Sequence, residues 1–355
     1  MIKSHWFVRG LINWYHENKR DLPWRNESDP YKIWLSEVIL QQTQVKQGLD
    51  YYIKFAQNYP TVKHLARATE DRVLKDWQGL GYYSRARNMH FAAKSIVATN
   101  RGVFPQSFDE IRKLKGVGDY TAAAIASFAY NLPHAVVDGN VYRLLSRVFG
   151  INVPIDSGPG KKVFQQLAND LFDAKNAANY NQAIMEFGSQ YCKPSKPDCL
   201  NCIFKSKCYA FANKKVSVLP VKKNKTKVEN RFLNYVVLVD KNKNILLNRR
   251  ENKDIWQGLF EFELIETKTQ KDEKAFLNSK ELAALGTKKF SVLHISKLYK
   301  HVLSHQILMC RFYVITINSL HNKTALTCKP KALTKFAFPR LIEKFLNDCN
   351  LTELL

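Results

Sequence analysis

Residues 114–130 read LKGVGDYTAAAIASFAY, and residues 134–150 read HAVVDGNVYRLLSRVFG. The pair Gly116 and Gly118 around Val117 predicts a tight turn, because glycine frees the backbone to reverse and brings bare N–H groups to a surface. The alanine-rich run Thr121 to Tyr130 predicts a helix behind that turn. Backbone N–H groups at such a helix start bind a phosphate. Downstream, Asp138 stands just before Val141, Leu144, Leu145 and Val148, whose three- and four-residue spacing predicts a second helix. An aspartate there is an N-cap by default. The cap does not exclude chemistry, because helix-start N–H groups keep a carboxylate ionised, and an ionised carboxylate is what a sugar cation needs.

Working outward, residues 1–212 carry helical periodicity, as in Ile33, Trp34, Val38 and Leu40. Residues 213–230 break it with Lys214, Lys215, Lys222, Lys223, Lys225 and Lys227 around Pro220, opposed only by Glu229. That stretch predicts an exposed basic linker that a DNA backbone could neutralise. In residues 231–350 the period changes. FLNYVVLVD (232–240) and ILLNRR (245–250) predict a hairpin about a KNKN turn, Ile307 to Ile317 a further strand, and Ser279–Leu285 and Pro339–Leu346 two helices. This part is expected to be α+β, and no fixed-period repeat runs through the chain.

Cys192, Cys199, Cys202 and Cys208 give C-x6-C-x2-C-x5-C, with Pro194 and Pro197 favouring a loop. Four thiolates so close together suit a closed metal site. Ligand type alone leaves zinc and iron–sulfur both open. Cys310, Cys328 and Cys349 are scattered and are expected to be structural.

The 355 residues suggest two domains or slightly more. With 45% hydrophobic and 24% charged residues, neither a wholly disordered chain nor a disulfide-stapled miniprotein fits. Lys and Arg number 55 against 31 Asp and Glu, a formal net charge of +24. So basic a chain meets a polyanion, either nucleic acid or an acidic membrane surface, unless lysine-rich composition alone inflates the count. The N-terminus MIKSHWFVRGLINWYHENKR has neither a long apolar run nor a small-residue cleavage site. An intracellular, reducing compartment is therefore expected, and an odd count of seven cysteines argues against a disulfide framework.

The cysteine spacing resembles the [4Fe–4S] loop of the endonuclease III and MutY DNA glycosylases. Together with the glycine turn and Asp138, it makes most of residues 20–212 resemble the helix-hairpin-helix base-excision glycosylases. The resemblance implies an all-α helix-hairpin-helix glycosylase fold with an iron–sulfur loop at 192–208. It makes the four cysteines the ligands of a [4Fe–4S] cluster, with Lys193, Lys196, Lys205 and Lys207 facing the DNA backbone.

Two residues after Gly118, bifunctional relatives carry a lysine that forms a Schiff base. Tyr120 stands there, and tyrosine cannot form the imine. The chain thus resembles the monofunctional adenine glycosylases of the MutY family. LPWR (22–25), ending in Arg25, resembles that family's N-terminal signature, and SEVILQQTQV (36–45) its adenine-pocket helix. The resemblance implies that Glu37 is the catalytic acid, with Gln42 and Thr43 near the base stack. It also implies that GLGYYSRARN (79–88) is the DNA wedge, carrying Leu80 and the intercalating Tyr82, and that VDGNVYR supplies Asp138 and Asn140. An apolar pocket around Glu37 would raise its pKa and hold a proton for delivery to a purine ring nitrogen.

In the C-terminal part, IWQGLFEFE (255–263) resembles the family's MutT-like (Nudix-type) domain. A working pyrophosphatase needs G-x5-E, and from Gly258 that position holds Leu264. A recognition module is therefore expected. HVLSHQ (301–306) resembles the loop that reads 8-oxoguanine, with Ser304 and His305 kept and Leu303 replacing the family's usual phenylalanine. The expected partner is double-stranded DNA with A:8-oxoguanine or A:G mispairs. The chain is expected to meet it as a monomer, without a membrane, in the cytoplasm at the nucleoid.

Overall fold

The computed structural model describes residues 5–224, 227–285, 290–318 and 326–355, so Lys225 of the expected linker lies outside the described residues. The chain forms two compact units. One comprises Met1–Arg67 with Asn88–Lys225, the other Ala68–Arg87 with Thr226–Leu355.

Among its described residues the first unit contains helices and loops and no strand. Helix Pro30–Leu40 starts where it does because Asp29 accepts from Tyr31 N over 2.9 Å and Pro30 takes the first helical position, where its missing N–H costs nothing. It packs on helix Asp119–Tyr130, and helix His5–Asn18 packs on helix Ala177–Gln190. Phe7, Leu11, Trp14, Val141, Leu144, Leu145, Phe164 and Phe187 form one core, drawn from helices His5–Asn18, Gly139–Phe149, Gly158–Leu171 and Ala177–Gln190. Each such side chain stabilises the fold by about 1.5–3 kcal/mol when fully buried.

The glycine turn has one left-handed residue, not two. Gly116 has φ +82°, and a Cβ there would sit 2.7 Å from Asn88 Cβ, so no other residue fits without displacement. Gly118 has an ordinary φ of −98° as the N-cap of helix Asp119–Tyr130, and a Cβ would meet nothing within 4 Å.

The second unit is built on strands β1 (Glu229–Val239), β2 (Ile245–Arg249), β3 (Phe260–Glu261), β4 (Glu263–Thr267), β5 (Phe290–Ile295), β6 (Tyr299–Val302), β7 (Gln306–Ile317) and β8 (Leu326–Cys328). β1 and β7 pair in parallel over their full length, from Glu229↔Gln306 to Val239↔Thr316. The expected hairpin closes with Val239 opposite Ile245. Tyr235, Val237, Phe312, Val314 and Phe345 fill one face of the sheet, with the expected C-terminal helix (Arg340–Asp348) packed there. Cys310 lies fully buried in this core. The expected helix at 279–285 is shorter, Lys280–Ala283, and Glu273–Leu277 precedes it.

Residues 68–87, expected with the helical part, group with the strands. Arg249 bridges Glu70 and Asp71 at 3.0 and 2.9 Å, and Lys75 Nζ donates to the Phe336 carbonyl over 2.8 Å. Those partners lie more than 170 residues away in sequence, so local periodicity carries no sign of them.

Candidate active site and four-cysteine cavity

Glu37 sits on helix Pro30–Leu40 at 8% exposure, among Trp34, Val38 and Ile39. Burial pushes its carboxyl up to about 7. The Tyr120 hydroxyl, donating to Glu37 Oε2 over 2.9 Å, and the Arg25 charge oppose that shift, while the Asp138 charge adds to it. Burial also raises the Tyr120 phenol, so it stays protonated and donates. The same hydroxyl lies 3.2 Å from Met185 Sδ on helix Ala177–Gln190.

Asp138 is the N-cap of helix Gly139–Phe149. Its Oδ1 accepts from Asn140 N at 2.9 Å and Val141 N at 2.8 Å, and its Oδ2 from Asn140 Nδ2 at 2.7 Å. These donors favour the ionised carboxylate, as expected of helix-start N–H groups. Burial outweighs them and the pKa is raised, although each donor works in the lowering direction. Asn181, fully buried, fixes the approach to Asp138 by accepting from Val136 N and donating to the His134 carbonyl. Asn140 Oδ1 accepts from Arg143 Nη2 at 2.9 Å, and Arg143 Nε reaches the Cys192 carbonyl at 2.7 Å. Gly188 lets the neighbouring helix come this close, since a Cβ there would meet Asn140 Cβ at 2.9 Å.

Arg25 is turned toward protein. Its guanidinium pairs with Glu186 at 2.5 Å, and Arg20 grips the same carboxylate at 2.6 Å. Two guanidiniums hold Glu186 below the usual carboxylate range despite its burial. Glu186, Met185 and Arg143 were not singled out from sequence. The available signal was a charged residue inside the apolar run AIMEFG, matched by two arginines near the N-terminus. Gln42 has φ +54° and is exposed just past helix Pro30–Leu40, and Thr43 N closes that turn on the Leu40 carbonyl.

Cys192, Cys199, Cys202 and Cys208 line one small cavity with Leu144, Arg147, Phe187, Tyr191 and Phe204. All four are free thiols, and burial pushes Cys202 up to about 11. Arg147 approaches Cys192 Sγ at 3.5 Å and anchors the loop through the Lys193 and Pro194 carbonyls. Among the described residues, no group of three or more His, Cys, Asp or Glu is drawn together closely enough to hold a metal ion as placed. The four cysteines share this cavity, with the Arg147 guanidinium beside the first of them.

The second unit has its own site. Leu80, Tyr82, Ser304 and His305 line one cleft of about 550 Å³ with Arg87, Trp256, His301, Leu303 and Arg340. Tyr82 is half-exposed with φ +46°, and its hydroxyl lies 2.5 Å from Ser304 Oγ. Leu303 N donates to the Gln306 carbonyl, which makes the Ser304–His305 turn the tip of the β6–β7 hairpin. Leu264 lies on β4, where a pyrophosphatase glutamate would stand. The nearby acids are engaged elsewhere: Glu261 by Arg250 and Tyr235, Glu263 by Asn248, Asp254 and Glu266 by Arg231.

A profile of the HhH-GPD superfamily base excision DNA repair proteins matches residues 35–171, and a NUDIX domain profile matches 234–348. An adenine DNA glycosylase from Buchnera aphidicola subsp. Baizongia pistaciae is 35% identical over 327 residues, covering 90% of each chain. An adenine DNA glycosylase of Arabidopsis thaliana is 36% identical, covering 71% of this chain and 46% of its own. Among solved structures, a thermostable thymine-DNA glycosylase aligns with TM-score 0.54 and 28% identity over 58% of this chain and 95% of its own. Endonuclease III in a non-covalent complex with DNA aligns with TM-score 0.53 over 60% of this chain and 96% of its own, at 19% identity, a likeness of fold alone. No helix among the described residues is long and apolar enough to cross a membrane.

Proposed function

Since the chain belongs to the adenine DNA glycosylase family of base-excision repair enzymes, we propose that it hydrolyses the N-glycosidic bond of adenine paired with 8-oxoguanine or guanine, with no lyase step. The observation that carries this is the pair Glu37 and Tyr120: a buried carboxyl poised at about 7, with a phenol against it where a Schiff-base enzyme needs an amine. Glu37 in its acid form gives its proton to a ring nitrogen of the everted adenine, which turns the base into a leaving group. Asp138, fixed by three donors, then stabilises the sugar cation or traps it covalently until water adds. The product is an abasic site.

Opposite the adenine, Ser304 and His305 read the 8-oxoguanine edge and Tyr82 wedges into the stack. Their meeting in one cleft supports that assignment. Cys192, Cys199, Cys202 and Cys208 would hold a [4Fe–4S] cluster. A cavity lined by all four cysteines, with the Arg147 guanidinium beside Cys192, suits an anionic thiolate-bound group. The cluster would order the loop that carries Lys193, Lys196, Lys205 and Lys207. The net charge of +24 suits a monomer held on duplex DNA at the nucleoid.

The test is single-turnover adenine release from A opposite 8-oxoguanine, G, C and T in parallel, with borohydride trapping alongside. Release from the first two without a trapped crosslink is expected. An efficient crosslink would overturn the monofunctional assignment, and equal rates on all four duplexes the specificity.

A further inference from the structure

The Tyr120 phenol carries one proton and has two acceptors within reach, Glu37 Oε2 at 2.9 Å and Met185 Sδ at 3.2 Å. Against an ionised Glu37 the proton points at the carboxylate, the stronger acceptor. When Glu37 is protonated on Oε2, that oxygen must itself donate, and the phenol oxygen is beside it. The phenol proton then has to leave the Glu37 axis. A thioether is a weak acceptor, but one at hydrogen-bond distance is preferable to none in a buried setting.

We infer that Met185 is a positioning residue of the adenine-releasing reaction: its sulfur accepts a hydrogen bond from the Tyr120 hydroxyl while Glu37 is protonated, and so keeps the acid form of Glu37 fixed in place. This rests on the assignment of Glu37 as the acid. No covalent bond changes at Met185. The hydroxyl swings to sulfur when Glu37 takes its proton and swings back when that proton has gone to the base. The other groups facing Glu37 are Arg25, whose charge favours the carboxylate, and Asp138, whose charge favours the acid. Neither contributes an acceptor to Tyr120. Glu186, beside Met185 in sequence, is held by Arg20 and Arg25, so exchanging the methionine leaves that pair in place.

Without the sulfur, the protonated state loses an acceptor and the ionised state loses nothing. Met185→Leu, nearly equal in volume, should therefore move the alkaline limb of the pH–rate profile to lower pH. The ratio of single-turnover rates at about pH 6 and about pH 8 should rise two- to fivefold over wild type. Met185→Gln, which restores an acceptor of similar reach, should return the ratio toward the wild-type value. In a Tyr120→Phe background, Met185→Leu should leave the ratio where Tyr120→Phe alone puts it, because the relay is already absent. An unchanged ratio for Met185→Leu, or the same shift in both backgrounds, would overturn the inference. Wild-type protein that releases no adenine at any pH would instead overturn the proposed function, so the two failures are distinguishable.

Discussion

Arg143 Nη2 donates to Asn140 Oδ1 over 2.9 Å, and Asn140 Nδ2 donates in turn to Asp138 Oδ2 over 2.7 Å. Because Arg143 Nε also holds the Cys192 carbonyl, the first cysteine of the four-cysteine loop stands three hydrogen bonds from the carboxylate assigned to the sugar cation. Arg143→Gln should cost about 1.5–3 kcal/mol of stability, the range for hydrogen bonds to charged groups. It should also lower adenine release, because Asn140 loses its anchor. Thermal unfolding and single-turnover rates measure the two effects, and stability lost without any loss of rate would mean Asp138 is held by its backbone donors alone.

Glu37→Gln should abolish base release while mispair binding persists, since it removes the proton and little volume. In wild-type protein the rate should be flat below about pH 7 and fall about tenfold per unit above it, as the acid form disappears. The linkage has a definite sign. Burial raises the pKa from 4.5 to about 7, so folding is unpenalised below about pH 4.5, loses stability as pH rises, and carries the full cost above about 7. Glu37→Gln should therefore stabilise the fold at pH 8, by up to about 3 kcal/mol. Denaturant titration at pH 5 and pH 8 should show the difference between the two proteins growing severalfold toward the higher pH.

Asp138→Asn should retain the helix cap, because the amide oxygen can still accept from Asn140 N and Val141 N. Release should nevertheless be lost, since a neutral amide cannot stabilise the sugar cation. A variant that melts early but turns over normally would reduce Asp138 to a cap.

Ser304→Ala with His305→Ala should weaken the preference for 8-oxoguanine over guanine by roughly ten- to a hundredfold. The rate at a G mispair should barely change. Tyr82→Phe should reproduce part of the loss, because the Tyr82 hydroxyl lies 2.5 Å from Ser304 Oγ. The readout is the ratio of single-turnover rates on the two duplexes, and equal loss on both would leave these residues a supporting role only.

Purified protein should be yellow-brown with about four irons per chain. Colourless protein with one zinc would reverse the assignment. Cys199→Ser should weaken DNA binding with a steeper salt penalty than any pocket variant.

What the sequence made legible was local. The Gly116 turn, the Asp138 cap, the β1–β2 hairpin and the Ser304–His305 tip each depend on a few adjacent residues, and each forms where it was expected. What stayed hidden was long-range. Glu186 looks like an ordinary helical glutamate until Arg20 and Arg25 fold against it from about 160 residues away. The net direction of the Asp138 pKa depends on how much protein surrounds it, which no spacing encodes. The joining of residues 68–87 to the C-terminal strands rests on ion pairs such as Arg249 with Glu70, and charges on a surface helix announce no partner.

That joining sets an order of events on the ribosome. Residues 68–87 leave the exit tunnel before any of the strands they pack against, and about 140 further residues must be made before β1 begins. At synthesis rates of about 5–20 residues per second, the segment waits roughly 7–30 seconds. Throughout that interval Leu74, fully buried in the finished protein, lacks its neighbour Gly258, where a Cβ would come within 3.2 Å of Leu74 Cδ1. A nascent chain stalled before residue 226 should accordingly be a better chaperone client than one stalled after residue 317, where β1 and β7 are both complete.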